Sequence, residues 1–268
     1  MLEKKKEFKL ISKKNPRSLL PNTLTIFGVC LGLSSIKFAL DANFTMAIIA
    51  IGFAAILDTL DGRVARLIKG SSKVGKELDS LTDVISFGVA PGFIMYFWTL
   101  NEFGKFGWML VLIYPVCCAL RLARFNLTSI EENESWKINF FEVVPSPAAA
   151  GMVLLPLILS LSGLFQFENY SILSSITILV TSVLMVSKIP TYSLKRILIP
   201  RNLVIFLLLG IGVFVSLLIF YTFETLFFSG LIYIILIPVS FFHFRYLNKR
   251  LISVYEAAEE EEETEDVL

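Results

Sequence analysis

Eight apolar stretches, each long enough or nearly so for the roughly 20 residues that a membrane-crossing helix needs, leave this chain few ways to fold. They run approximately over residues 19–40, 44–68, 75–100, 107–126, 143–164, 171–188, 203–221 and 225–246. Helices buried in a soluble protein would keep polar faces over five or more turns, and most of these keep none. A hydrophobic content of 55% across 268 residues agrees with this. The expected fold class is therefore all-α, a polytopic integral membrane helical bundle of about eight transmembrane helices.

Charge provides an independent check, because loops on the cytoplasmic side carry the excess of Lys and Arg. Lys4, Lys5, Lys6, Lys9, Lys13, Lys14 and Arg17 precede the first stretch, and Arg63, Arg66, Lys69, Lys73 and Lys76 surround the second connection. Arg121, Arg124 and Lys137 flank the fourth connection, Lys188, Lys195, Arg196 and Arg201 the sixth, and Arg245, Lys249 and Arg250 follow the last stretch. Of the 24 lysines and arginines, Lys37 and Lys105 alone fall on the opposite side. Both termini are predicted cytoplasmic, in a cytoplasmic (inner) membrane. Residues 1–18 read as a basic segment able to hold anionic headgroups at about 1 kcal/mol per residue. Residues 19–250 read as the transmembrane domain, and 251–268, with Glu259 to Glu263 in a row, as an acidic disordered tail.

Cys30, Cys117 and Cys118 lie inside apolar stretches without metal-ligand spacing and read as packing residues. His243, the single histidine, reads as interfacial.

The chemistry concentrates between Asp58 and Asp83. Each aspartate near the centre of a membrane helix costs about 2.5–3.5 kcal/mol, so one is seldom kept without a partner or a task. Asp58 and Asp61 are three residues apart and Asp79 and Asp83 four apart, so each pair shares a helix face. The short basic connection makes the two helices antiparallel neighbours and can bring all four carboxylates together. Four anions in a medium of low dielectric require cations among them. Interhelical ion pairs, such as Asp61 with Arg66 or Asp79 with Lys76, are one way to supply that charge. The other is a hard divalent ion, Mg²⁺ or Mn²⁺, which prefers all-oxygen ligand sets shared with water and phosphate. Gly62 and Ala65 leave room for a ligand against the backbone. Arg66 offers a planar fork for phosphate oxygens, and Gly75 opens the next helix where an anion is favoured.

The string Asp58, Asp61-Gly62, Ala65-Arg66, Gly75, Asp79, Asp83 resembles the signature of the CDP-alcohol phosphotransferase family, with every fixed position and interval present. The resemblance implies an enzyme in which two divalent ions hold a CDP-activated lipid and an alcohol displaces CMP. It implies that Asp58, Asp61, Asp79 and Asp83 ligate metal, that Asp83 is also the catalytic base, and that Gly62, Ala65, Arg66 and Gly75 bind the CDP-lipid. Three more segments, Ser86 to Pro91, Arg121 to Asn126 and Val144 to Gly151, are similar to the bacterial membrane-embedded phosphatidylserine synthases and the archaeal archaetidylserine synthases. So is Met185 to Tyr192, and together the likeness covers roughly residues 20–192. It implies CDP-diacylglycerol and L-serine as substrates and a homodimer in the membrane, with no nucleic-acid partner.

Serine needs a cation for its carboxylate, and Arg121, Arg124, Asn126 and Lys188 are the candidate serine-binding residues. The arginines also read as ordinary anchors at a helix end. A phosphatidylglycerophosphate synthase is the alternative within the family, and it would demand a larger cationic cluster for a phosphorylated acceptor. A divalent-cation transporter is the alternative outside it. Transporters place their sites near the bilayer midplane in repeated halves, whereas these carboxylates sit at one edge without a second copy.

Overall fold

The computed structural model describes residues 19–68, 73–128, 140–141, 144–187, 191–192 and 203–265, with side chains as far as residue 245 in the last segment. Within them nine α-helices follow one another: α1 (Leu19–Leu40), α2 (Phe44–Leu67), α3 (Lys73–Asp83), α4 (Ala90–Trp98), α5 (Lys105–Thr128), α6 (Ser146–Ser162), α7 (Tyr170–Val186), α8 (Val204–Phe220) and α9 (Thr222–Glu265). A π-helical segment, Val84–Val89, joins α3 to α4, and a 3₁₀ turn, Leu100–Phe103, leads into α5. Two two-residue strands, β1 (Phe140–Phe141) and β2 (Thr191–Tyr192), pair antiparallel with Phe140 opposite Tyr192.

Each of the eight apolar stretches contains a helix among its described residues, and the protein is a polytopic membrane helical bundle. Five runs, Leu20–Leu40, Phe44–Leu67, Val74–Trp98, Lys105–Leu127 and Thr222–Arg245, are long and apolar enough to cross a membrane. Helices α6, α7 and α8 are equally apolar but have 17 residues each. At 1.5 Å per residue that is about 26 Å, slightly short of a hydrocarbon layer.

Local signals set the helix ends. Asn43 caps α2 by accepting from the Met46 N–H at 3.2 Å. Gly163, at φ +68°, ends α6 in the left-handed conformation that glycine adopts without steric cost. Pro145 precedes α6, so that helix opens at Ser146.

Helix α6 lies at the centre of the bundle, with Ala149, Ala150, Val153 and Leu157 fully or almost fully buried. Around it pack α4, α7 and α9, while α1 lies along α2. Outer faces carry exposed Phe27, Phe53, Ile176 and Val183, as a lipid-facing surface would. Helix α8 packs against α9 and buries none of its own residues.

Two expectations change. The third apolar stretch is not one continuous α-helix, because the π segment interrupts it directly after Asp83. The acidic segment read as disordered continues α9 as far as Glu265. Its run of Glu and Ala has good helix propensity, which a helix already nucleated in the membrane can propagate. Residues 1–18 and Lys188 lie outside the described residues.

Candidate active site

Helices α2 and α3 bring their carboxylates together. Asp58, Asp61 and Asp79 each offer an oxygen, and these oxygens all lie within 4.8 Å of one another. The carboxyl of Asp83 lies beside that of Asp58, an approach that a bound cation or a shared proton would sustain. The second oxygen of Asp83, Oδ1, is buried with no hydrogen-bond partner among the described residues. Clustered oxygens with an orphaned acceptor beside them are the donor set that a hard divalent ion takes. The alternative ion pair from Asp61 to Arg66 is not formed among the described residues. Arg66 Nε donates to the Gly62 carbonyl at 3.1 Å, and Asp61 Oδ2 accepts from the Thr25 hydroxyl at 2.7 Å.

Asp61 and Asp79 face a cavity of about 390 Å³ enclosed by α1, α2 and α3. Gly62, Ala65, Arg66 and Gly75, the residues assigned to the CDP-lipid, all line it. A Cβ built on Gly62 meets nothing within 4 Å, so any larger side chain there would intrude on the open space. The same cavity is bordered by Pro21, Asn22 and Thr25 of α1, which sequence reasoning missed. Thr25 gives no distinctive signal, since a threonine in an apolar helix ordinarily bonds back to its own helix. It does so here as well, to the Pro21 carbonyl at 3.0 Å.

Arg121 is near enough to Asp83 for their opposite charges to interact. It is 8% exposed, donates from Nη1 to the Ser146 hydroxyl, and keeps Nε buried with no hydrogen-bond partner among the described residues. Burying a guanidinium among carboxylates spares the large penalty of an isolated charge. Ser146, at the first turn of α6, thus joins the site through Arg121. Arg124 is placed differently: its Nη1 donates to the Val186 carbonyl at 2.7 Å, at the C-terminal end of α7. Asn126 donates to the Ser80 hydroxyl at 2.9 Å and so ties α5 to α3 beside Asp79. The polar groups form a continuous series from the α1–α3 cavity through Asp61, Asp58 and Asp83 to Arg121 and Ser146.

A small residue on α1 permits this geometry. A Cβ on Gly32 would lie 2.9 Å from Ser86 Cα, closer than packed atoms tolerate, so glycine lets α1 reach the segment that follows Asp83.

The family model for CDP-alcohol phosphatidyltransferase matches residues 18–187, and that for CDP-alcohol phosphatidyltransferase 2 matches residues 202–238. Among curated proteins, the CDP-diacylglycerol–serine O-phosphatidyltransferase of Mycobacterium leprae is 40% identical over 185 residues, 69% of this chain and 61% of that protein. The protein of the same name from Helicobacter pylori is 41% identical over 194 residues, 72% of this chain and 79% of its own. The one from Bacillus subtilis is 35% identical over 177 residues, 66% and 92% respectively. The match spans 61% to 64% of the length of the mycobacterial relatives. With three of its signature carboxylates within 4.8 Å of one another and the family model covering 18–187, the chain belongs to the CDP-alcohol phosphatidyltransferase family.

Proposed function

We propose that this protein transfers the phosphatidyl group of CDP-diacylglycerol to the hydroxyl of L-serine and releases CMP. The observation that carries the reading is the meeting of Asp58, Asp61 and Asp79 at the edge of a cavity lined by the four other small and basic signature positions. The names of relatives at 35–41% identity support serine as the acceptor.

The roles follow from the surroundings of each side chain. Asp58, Asp61, Asp79 and Asp83 would hold two divalent ions, Mg²⁺ or Mn²⁺, which when bound would supply charge to neutralise pyrophosphate oxygens and the departing phosphate of CMP. Gly62, Ala65 and Gly75 leave space for the nucleotide end of the lipid, and Arg66 offers its fork to phosphate oxygens. Thr25 orients Asp61 by donating to Oδ2, which fixes the direction of the other oxygen. Arg121 receives the serine carboxylate and sets its hydroxyl toward Asp83, whose Oδ1, without a hydrogen-bond partner among the described residues, accepts the proton as the serine oxygen bonds to phosphorus and the bond to CMP breaks. Arg124 and Asn126 act more remotely, by fixing α7 and α3 relative to α5. The basic connections support a cytoplasmic opening, where water-soluble serine and a bilayer lipid can reach one phosphorus atom.

The test is CMP release by the purified full-length protein with CDP-diacylglycerol and Mn²⁺, comparing L-serine, glycerol 3-phosphate, inositol phosphate and no acceptor. Serine-dependent release with a phosphatidylserine product is expected. Release only with a phosphorylated acceptor would keep the metal site and overturn the choice of substrate.

A further inference from the structure

The π segment Val84–Val89 begins one residue after Asp83, and its hydrogen bonding departs from that of an α-helix. Its last turn closes from the Ala90 N–H to the Ile85 carbonyl, five residues back rather than four. Position 91 is proline, which has no N–H to give to the carbonyl of Phe87 four residues before it. That carbonyl is instead taken by the hydroxyl of Tyr114, which reaches across from α5 at 2.7 Å. Tyr114 is 0% exposed and Phe87 1%, so no water competes for the bond. Cys118, one turn further along α5, closes on Gly88, where an added Cβ would meet its Cβ at 3.1 Å.

A π turn holds one residue more than an α turn. Relaxing it by one residue would therefore rotate the helix on one side of it by about 100° relative to the other. The side that stays fixed is α4, whose Ala90, Ile94 and Met95 are all 0% exposed. The side that turns is α3, where Thr82 is the one buried residue among the described side chains and Val74 and Leu81 are more than 60% exposed. Such a turn would carry Asp79 and Asp83 away from Asp58 and Asp61.

We infer that Tyr114 and Pro91 together form a register lock: the proline withholds an N–H and the tyrosine hydroxyl satisfies the freed carbonyl, holding the π turn that aims Asp79 and Asp83 at the α2 carboxylates. Both are positioning residues. Neither touches the reacting atoms, and the inference rests on the reading that these carboxylates bind a divalent ion.

The experiment measures Mn²⁺ binding to purified full-length protein, from the electron paramagnetic resonance signal of free Mn²⁺, together with Tm in the same detergent. Y114F should bind Mn²⁺ about tenfold more weakly, the loss usual when a group that orients metal ligands is removed. P91A is the sharper variant. It restores an N–H inside a helix and removes no large contact, so packing alone predicts unchanged binding with an equal or higher Tm. The lock predicts weaker Mn²⁺ binding despite that Tm. As a control, S171A removes long-range side-chain bonds of comparable kind, one at 2.7 Å with the Thr99 hydroxyl and one to the Glu102 carboxylate, and should leave Mn²⁺ affinity unchanged. Wild-type affinity in P91A overturns the lock whether or not Y114F folds. Failure of the unaltered protein to bind Mn²⁺ overturns the metal reading itself, and the lock with it.

Discussion

Helices α3 and α4 belong to one apolar run of the sequence, yet they are held by different means. In α4, Ala90, Pro91, Gly92, Ile94 and Met95 are buried against the bundle, so packing fixes the helix on all its contact faces. In α3 the described side chains are mostly half-buried or exposed, and its position depends on single links such as Asn126 to Ser80. The reactive half of the span is thus the weakly packed half. Carboxylates need space for water, ions and phosphate around them, and space removes the contacts that would otherwise hold a helix. A hydrogen-bonded turn between the two halves supplies the missing constraint.

The largest expected effect falls on the reactive half. D83N should lower CMP release by roughly 10²–10³-fold, the scale for losing one preorganised polar group, with binding of the CDP-lipid largely retained. Near-normal turnover would remove Asp83 from the role of base, and binding assays with radiolabelled CDP-lipid would show whether the donor site survives.

On the packed half, I94A should cost about 2 kcal/mol of stability. This is the low end for a buried truncation, because in a bilayer the loss is chiefly of packing rather than of hydrophobic transfer. Reversible unfolding in mixed micelles would measure it, and turnover of the folded fraction should stay close to normal. A similar loss of turnover per folded molecule would erase the distinction between the halves.

Smaller again is R121K, which keeps the charge and loses the fork. The KM for serine should rise about tenfold with little change for CDP-diacylglycerol. Steady-state kinetics with each substrate varied in turn decide it, and equal effects on both would place Arg121 in general structural support. The smallest effect is expected for L81A on the exposed face of α3, within about 0.5 kcal/mol in stability. A larger loss would show that α3 is packed more firmly than its burial indicates.

Much of the bundle and of the carboxylate cluster, though not this contrast, was legible before any coordinates. Eight apolar stretches became eight apolar helical segments, and the spacing of Asp58, Asp61 and Asp79 brought their oxygens to one point. Hydropathy could not reveal the π segment, because a register change depends on one carbonyl and its partner rather than on the average character of a stretch. Tyr114 looks like any aromatic residue in a membrane helix until its hydroxyl is seen at the Phe87 carbonyl. Thr25 is hidden for a similar reason, since its bond to Asp61 joins residues 36 positions apart. The two arginines of α5 share a face by spacing alone, yet one turns inward to Ser146 and the other caps α7. That difference comes from neighbouring helices, which a local pattern does not encode. The acidic end misled in the opposite direction, because composition suggested disorder where a continuing helix supplied the nucleus.

The central claim is that the α2 and α3 carboxylates hold the divalent ions at which phosphatidyl transfer occurs. Its most direct test is anomalous diffraction from crystals of the protein grown with Mn²⁺. Peaks bracketed by Asp58, Asp61 and Asp79, and lost in D79N, are the predicted result. Strong Mn²⁺ peaks elsewhere in the bundle, with none among these aspartates, would contradict it.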